Sequence, residues 1–219
     1  MSGARAAEPG APAPGGAAPG RAGADEADEA GAAGVAAPPA RRPRRHDPGR
    51  RDRLIDAALT VIAERGVAAT THREIARVAD VPLGSMTYHF ASLDDVLVEA
   101  FTRHADVIAT AFDRRMDAAP DRDAAVEQVV ALVAEDLIGS PTDLVLTVEI
   151  YGAAARKPAL RAVTQAWMRR SHQALERHFD PTTARELDAL LIGLVLSGAL
   201  STEPTTVDQI RHAVHRIVR

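Results

Sequence analysis

The chain has no cysteine, a single lysine (Lys157) and few aromatic residues: one Trp, two Tyr and four Phe in 219 residues. Without cysteine, disulfides, thiolate metal sites and cysteine nucleophiles are all excluded. Long hydrophobic runs are missing too. The longest apolar stretch, 189–200, falls short of the ~20 residues a membrane-spanning helix needs, and Gly193, Ser197 and Gly198 interrupt it. No run of large apolar residues follows the charges near the N-terminus, so no targeting signal is read there, and a soluble, cytoplasmic protein without a membrane partner is expected. There is no Gly-rich phosphate loop and no G-x-S-x-G turn. The nearest metal-like pair, His212 and His215, has no carboxylate at an informative spacing. No catalytic residue, metal site or cofactor is therefore expected.

What the chain does contain is unevenly distributed. Thirty of residues 1–40 are Ala, Gly or Pro, which offer little to bury against the entropy of ordering, so residues 1–45 are expected to be a disordered tail. The tail ends in a basic cluster, Arg41, Arg42, Arg44 and Arg45, which reads as an arm that follows DNA phosphates or as a solubilising linker. The formal net charge is −4, yet residues 41–91 hold ten Arg against six acidic side chains. Residues 92–219 hold fourteen basic against nineteen acidic ones. A basic module on an acidic body is the pattern of a protein that meets phosphates at one end.

Residues 71–90, THREIARVADVPLGSMTYHF, read as helix, tight turn and second short helix. Thr71 with Glu74 three residues later forms a capping-box pattern, Asp80 suits the left-handed residue that ends the first helix, and Pro82 suits the start of the next. Ahead of them, residues 50–65 place Leu54, Ala58, Val61 and Ile62 at helical spacing, with Gly66 at a C-cap position. Ser92 caps a helix expected to run to about residue 117, followed by helices at about 121–138, 142–155, 159–179, 183–200 and 204–218.

Over about 48 residues, RDRLIDAALTVIAERGVAATTHREIARVADVPLGSMTYHFASLDDVL resembles the N-terminal domain of tetracycline-repressor (TetR) family regulators. Its most specific parts are AERG, T-x-R-E-I-A, Y-H-F and S-L-D-D in that order. The resemblance implies an all-α fold: a three-helix helix-turn-helix DNA-binding domain over residues 46–92, joined by a long helix to a helical regulatory and dimerisation domain over 93–219. It implies that residues 83–89 form a recognition helix in the major groove, which brings Leu83, Gly84, Ser85, Thr87, Tyr88 and His89 to DNA. Thr71 and Arg73 would contact phosphate or a base edge, with Arg50 and the basic arm adding charge. The chemistry agrees, since Arg can bond guanine bidentately and hydroxyl, phenol and imidazole groups suit phosphate oxygens. The chain departs from the family pattern at Asp80, Pro82, Leu83, Thr87 and Leu93, where Gly, Ser, a cation, an aromatic and Lys are common.

In the body, Phe101, His104, Ile108, Phe112, Tyr151, Trp167, His172 and Phe179 are the side chains suited to line a ligand cavity, with Glu149, Arg156 and Gln165 as polar candidates. The helix at 183–200 is apolar nearly all round, and 204–218 carries a second stripe. Leu187, Leu190, Leu191, Leu194, Gly198, Ile210 and Val214 are expected at a homodimer interface, the alternative being the protomer's own core. The function implied is a repressor that binds a palindromic DNA operator as a homodimer and is released by an unidentified small-molecule effector. An activator on the same fold, or an interaction module that has lost operator recognition, stays open.

Overall fold

The computed structural model describes residues 49–219. The expectations for residues 1–45, including Arg41, Arg42, Arg44 and Arg45, fall outside them. Every regular element among the described residues is helical. The first four are α1 (Arg50–Ala69), α2 (His72–Val78), α3 (Gly84–His89) and α4 (Leu93–Ala118). They are followed by α5 (Arg122–Ala131) and a π-helical turn (Leu132–Leu137), then α6 (Pro141–Ala154), α7 (Pro158–Leu175), α8 (Pro181–Leu200) and α9 (Val207–Ile217).

Caps explain most of the boundaries. Ser92 and Asp95 exchange side-chain to backbone hydrogen bonds at the start of α4, as Thr206 and Gln209 do at the start of α9. Pro158 and Pro181, which stand just ahead of the helices expected from about 159 and 183, are the first residues of α7 and α8. The missing N–H of proline costs nothing at that position, and Asp180 accepts from the backbone N–H groups of Thr182 and Thr183 to complete the start of α8.

The helix expected over 121–138 changes hand-hold after Ala131. Ile138 N–H reaches back five residues to the Val133 carbonyl at 2.8 Å, widening the last turn into a π-helix. Gly139 is required next to it, because a Cβ there would sit 2.6 Å from the carbonyl oxygens of Ala134 and Glu135. Arg115 of α4 clamps the turn through Asp136 and Glu135.

The apolar side chains pack into two clusters. One joins Leu54, Ile55, Val61 and Ile62 of α1, Ile75 of α2, Met86 of α3, and Val96, Leu97 and Phe101 of α4, together with Leu146 and Ile150 of α6 and Leu160 of α7. The other holds Phe112 and Met116 of α4, Val126 and Val129 of α5, Leu175 of α7, Leu187 and Leu191 of α8, and Ile210 and Val214 of α9. The long helix α4 contributes to both clusters and packs along α7. Its N-terminal half is tied to α1 by Arg103, which reaches Asp52 at 2.5 Å and Asp56 at 2.7 Å, and by the Arg51–Glu99 pair.

Candidate nucleic-acid interface and effector pocket

The turn between α2 and α3 is built from backbone bonds that the sequence permits. The N–H of Asp80 donates to Arg77 and that of Val81 to Ala76 (3.0 Å), the Schellman arrangement, with Asp80 in the left-handed region at φ 52°. Thr71 caps α2 by accepting from Glu74 N–H at 3.2 Å. Only that half of the expected capping box forms: the Glu74 carboxylate turns instead to Arg65 (2.9 Å) and Arg77 (3.1 Å). Ile75, Ala76 and Met86 anchor both helices to the core, which fixes the outer faces.

On that outer surface Thr71, Arg73, Leu83, Gly84, Thr87 and Tyr88 are exposed, and Tyr88 is 81% exposed. His89 is half-buried and lies edge-on to Tyr88, with ring centroids 4.9 Å apart. Ser85 is a correction. It is buried beside Met86 at 9% exposure, on the side of the short helix α3 that packs inward. Arg50 is half-buried, and its Nε is enclosed without a hydrogen-bond partner. Arg51 lies over the Phe90 ring, its guanidinium carbon 4.9 Å from the centroid, and so braces the end of α3.

A second feature lies between α4, α6, α7 and α8. Ile108, Phe112, Leu132, Leu137, Thr147, Tyr151, Trp167, Met168, Ser171, Asp188 and Leu191 are among the side chains around a cavity of about 40 Å³. Four of the expected pocket residues, Ile108, Phe112, Tyr151 and Trp167, line it. Phe101 does not: it is fully buried in the cluster shared by α1, α3 and α6, one helical turn and more before the cavity begins. His104 and His172 sit behind the wall. His104 Nε2 is 3.1 Å from the Thr147 hydroxyl and its ring is edge-on to Trp167; His172 Nε2 is 3.2 Å from the Asp188 carboxylate. Asp188 itself had no signal in the sequence, since one carboxylate in a helix reads as surface until its neighbours are known.

The residues expected at a dimer interface divide. Leu187, Leu191, Ile210 and Val214 are buried within the protomer, so they are corrections; their stripes face the protomer's own second cluster, and Leu191 also lines the cavity. Leu190, Leu194 and Gly198 are half-buried. Glu149, a polar candidate for the pocket, instead faces α1, where its carboxylate accepts from Val67 N–H at 2.7 Å just after Gly66. On α9, His215 lies 3.9 Å from Glu127, a carboxylate already engaged by Arg211.

Burial shapes the charges around the cavity. It pushes the Tyr151 phenol above its ordinary value, with the Asp188 charge adding to the effect, so the phenol stays a neutral donor. It raises the Asp188 carboxyl, against the hydrogen bonds from Ser171 and His172. It lowers the His104 imidazole, opposed by the Asp143 carboxylate 3.5 Å away. A histidine with a depressed folded-state value contributes stability that is present above the ordinary histidine range and lost as pH falls through the folded value. Replacing His104 with Gln, which keeps a polar partner for Thr147, should therefore flatten the fall in urea midpoint between about pH 7 and 5. An unchanged slope would assign that fall to other groups.

Comparison with known proteins fits this architecture. Residues 54–100 match the family model for bacterial regulatory proteins of the tetR family, and residues 120–219 match the tetracyclin repressor-like C-terminal domain. The HTH-type transcriptional regulator BetI of Burkholderia mallei (strain NCTC 10229) is 34% identical over 165 residues, covering 71% of this chain and 84% of BetI. SCO7518 of Streptomyces coelicolor A3(2), a solved structure assigned as a transcriptional regulator, is 52% identical with a TM-score of 0.72, over 78% of this chain and 99% of its own. The multidrug binding protein EbrR, solved in complex with ethidium, is 39% identical with a TM-score of 0.67, over 78% of this chain and 99% of its own. Among the described residues no helix is long and apolar enough to cross a membrane. Matched at both its DNA-binding and its C-terminal halves, and by a regulator over most of its length, the chain belongs to the TetR family of DNA-binding transcriptional regulators, which are not enzymes.

Proposed function

We propose that this regulator is a repressor that binds a palindromic operator as a homodimer and leaves it when a small molecule enters the body. Residues 46–92 read the DNA and residues 93–219 sense and dimerise. The observation that carries the reading is the exposed row on α2 and α3. Arg73 can donate two bonds to guanine, the Tyr88 phenol and Thr71 hydroxyl can donate to phosphates, and Leu83 can meet a thymine methyl, while the inner face of both helices is sealed in the core. Support for a dimer comes from an outward stripe on α8, where Ala189, Gly193 and Ser197 allow close approach and Leu200 is 80% exposed, with Val207 exposed nearby at the start of α9. A twofold pair would place two recognition helices ~34–36 Å apart, one turn of DNA. The ethidium complex of EbrR supports a small molecule as the effector. A ligand that fits the body better when the two heads are mis-spaced lowers operator affinity by its preference for that state.

The test is fluorescence anisotropy with labelled DNA from upstream of the gene and its neighbours, in a salt series against scrambled competitor. Sequence-preferring binding with two protomers per site is expected. Arg73→Ala should weaken it by about 1–3 kcal/mol if Arg73 reads a base, or reduce the salt slope by about 0.9 if it holds a phosphate. An unchanged affinity and slope would remove Arg73 from the interface. Failure to enrich any sequence in a random-sequence selection would sink the operator reading.

A further inference from the structure

Resting on the reading of the cavity as the effector site, its chemistry selects the class of effector. Most of the wall is apolar, and the two largest polar-tipped side chains, Tyr151 and Trp167, are stacked with centroids 6.1 Å apart and planes 16° from parallel. One acidic side chain lines the space, Asp188 of α8, which is 6% exposed. Arg170 is the basic residue of the wall. Its guanidinium is already committed to Asp113 (2.8 Å), Thr110 (2.9 Å) and Asp106 (3.4 Å). His172 touches Asp188 from behind the wall and has an edge in solvent. The cavity therefore presents one desolvated carboxylate beside two aromatic faces, and both attract positive charge in a setting with little water to screen it.

An anion placed here would face that carboxylate without a free cation to offset it. A neutral apolar molecule would bury the carboxylate more deeply and add no polar contact to those it already has from Ser171 and His172, so it gains nothing from Asp188. A cation regains the interaction while its apolar body fills the space among Ile108, Phe112 and Leu191. We infer that the effector of this regulator is an organic cation with an apolar body, its positive centre held between Asp188 and the aromatic faces of Tyr151 and Trp167. The cavity of about 40 Å³ has room for one water, so such a molecule enters by spreading the helices that form the walls. One of them, α6, also carries Glu149, the residue bonded to the end of α1.

Trp167 is the only tryptophan of the chain, so its fluorescence reports this site directly. The probes are phenyltrimethylammonium, its neutral carbon isostere tert-butylbenzene, and tetraethylammonium as an alkyl cation, each titrated against the full-length protein without DNA. The expected result is saturable quenching by phenyltrimethylammonium at least about tenfold tighter than by the isostere, a difference of about 1.4 kcal/mol. Tetraethylammonium binding with similar preference would extend the class to alkyl cations, and its failure would confine the class to aromatic ones. In Asp188→Asn, checked for unchanged far-UV circular dichroism, the cation should lose that advantage while the isostere binds as before. If Asp188→Asn does not fold, the comparison of cation and isostere on the unaltered protein decides. Equal binding of cation and isostere overturns the inference, as does a preference that survives in a folded Asp188→Asn, or no quenching by either cation. The same compounds added to an operator complex separate the two readings. Release by cation and isostere alike overturns the inference and leaves the regulator standing. A cation bound through Asp188 by a protein that never recognises an operator supports the inference and removes the regulator.

Discussion

Phe101→Ala should cost about 3–5 kcal/mol of stability and weaken DNA binding with it, because the side chain is fully buried in the apolar cluster that α4 shares with α1, α2, α3 and α6. The loss combines the transfer of a large aromatic ring to water with the void left among Leu54, Ile62, Met86 and Ile150, none of which can collapse without moving the helix it belongs to. The sequence places Phe101 in the ligand pocket, so the prediction also separates two locations. A pocket residue, truncated, would enlarge the cavity and change ligand affinity with the head still folded. Phe112→Ala, at a residue that does line the cavity, is the matched control. Urea titrations followed by far-UV circular dichroism, with operator anisotropy alongside, read both effects. A Phe101→Ala protein that loses less than about 1 kcal/mol would show that the first cluster is far more yielding than a close-packed core.

The parts of the fold that sequence could state were those fixed by local chemistry. Asp80 takes the left-handed conformation because the residue ending α2 must, Ser92 caps α4, and Gly66 turns the chain after Arg65; each rests on a few neighbours in sequence. Local chemistry is ambiguous where one residue can serve two helices. Pro158 and Pro181 stand between helical patterns, and proline is as fit to open a helix as to follow one. The π-helical turn at Leu132–Leu137 was beyond reach, since apolar spacing continues through it and the need for glycine at 139 arises from carbonyl oxygens that converge only in the folded chain.

Periodicity had a similar limit on α8 and α9. It identifies a face that must be covered, and Leu187, Leu191, Ile210 and Val214 are covered, but it carries no information on whether the cover is the same protomer or another. The exposed row on α2 and α3 was more legible as a surface, because Thr71, Arg73, Thr87 and Tyr88 lie on short helices whose inward residues are mainly the apolar ones. Ser85, expected on that surface, is buried beside Met86. Asp188 shows the reverse failure: its role depends entirely on Tyr151, Trp167 and Ser171, which lie 17 to 37 positions away in sequence.

The second large effect is expected at Gly66. Its backbone has φ 76° and ψ 165°, a region used almost only by glycine, and any side chain there costs about 1–3 kcal/mol of strain. An added Cβ would also lie 3.2 Å from Glu149 Oε1, pressing on the carboxylate that accepts from Val67 N–H at 2.7 Å. If Glu149 withdraws, that N–H loses its partner in a part-buried setting, a further penalty of about 1–3 kcal/mol. Gly66→Ala should therefore destabilise more than Glu149→Ala, which removes the bond but leaves the glycine conformation free, and both more than Glu149→Gln, whose amide oxygen can still accept. Urea midpoints give the order, and faster hydrogen exchange at Val67 in the first two variants locates the damage. The contact also has a functional consequence. Thr147 and Tyr151 line the cavity from α6, and Glu149 on the same helix holds the end of α1; under the proposed function, a ligand that displaces α6 would pull on α1. Glu149→Ala should bind effector and operator separately much as before while the factor by which one weakens the other shrinks, a change in coupling free energy rather than in either affinity. An unaltered coupling factor would mean that α4, the other helix shared by the cavity and the head, transmits the signal without Glu149.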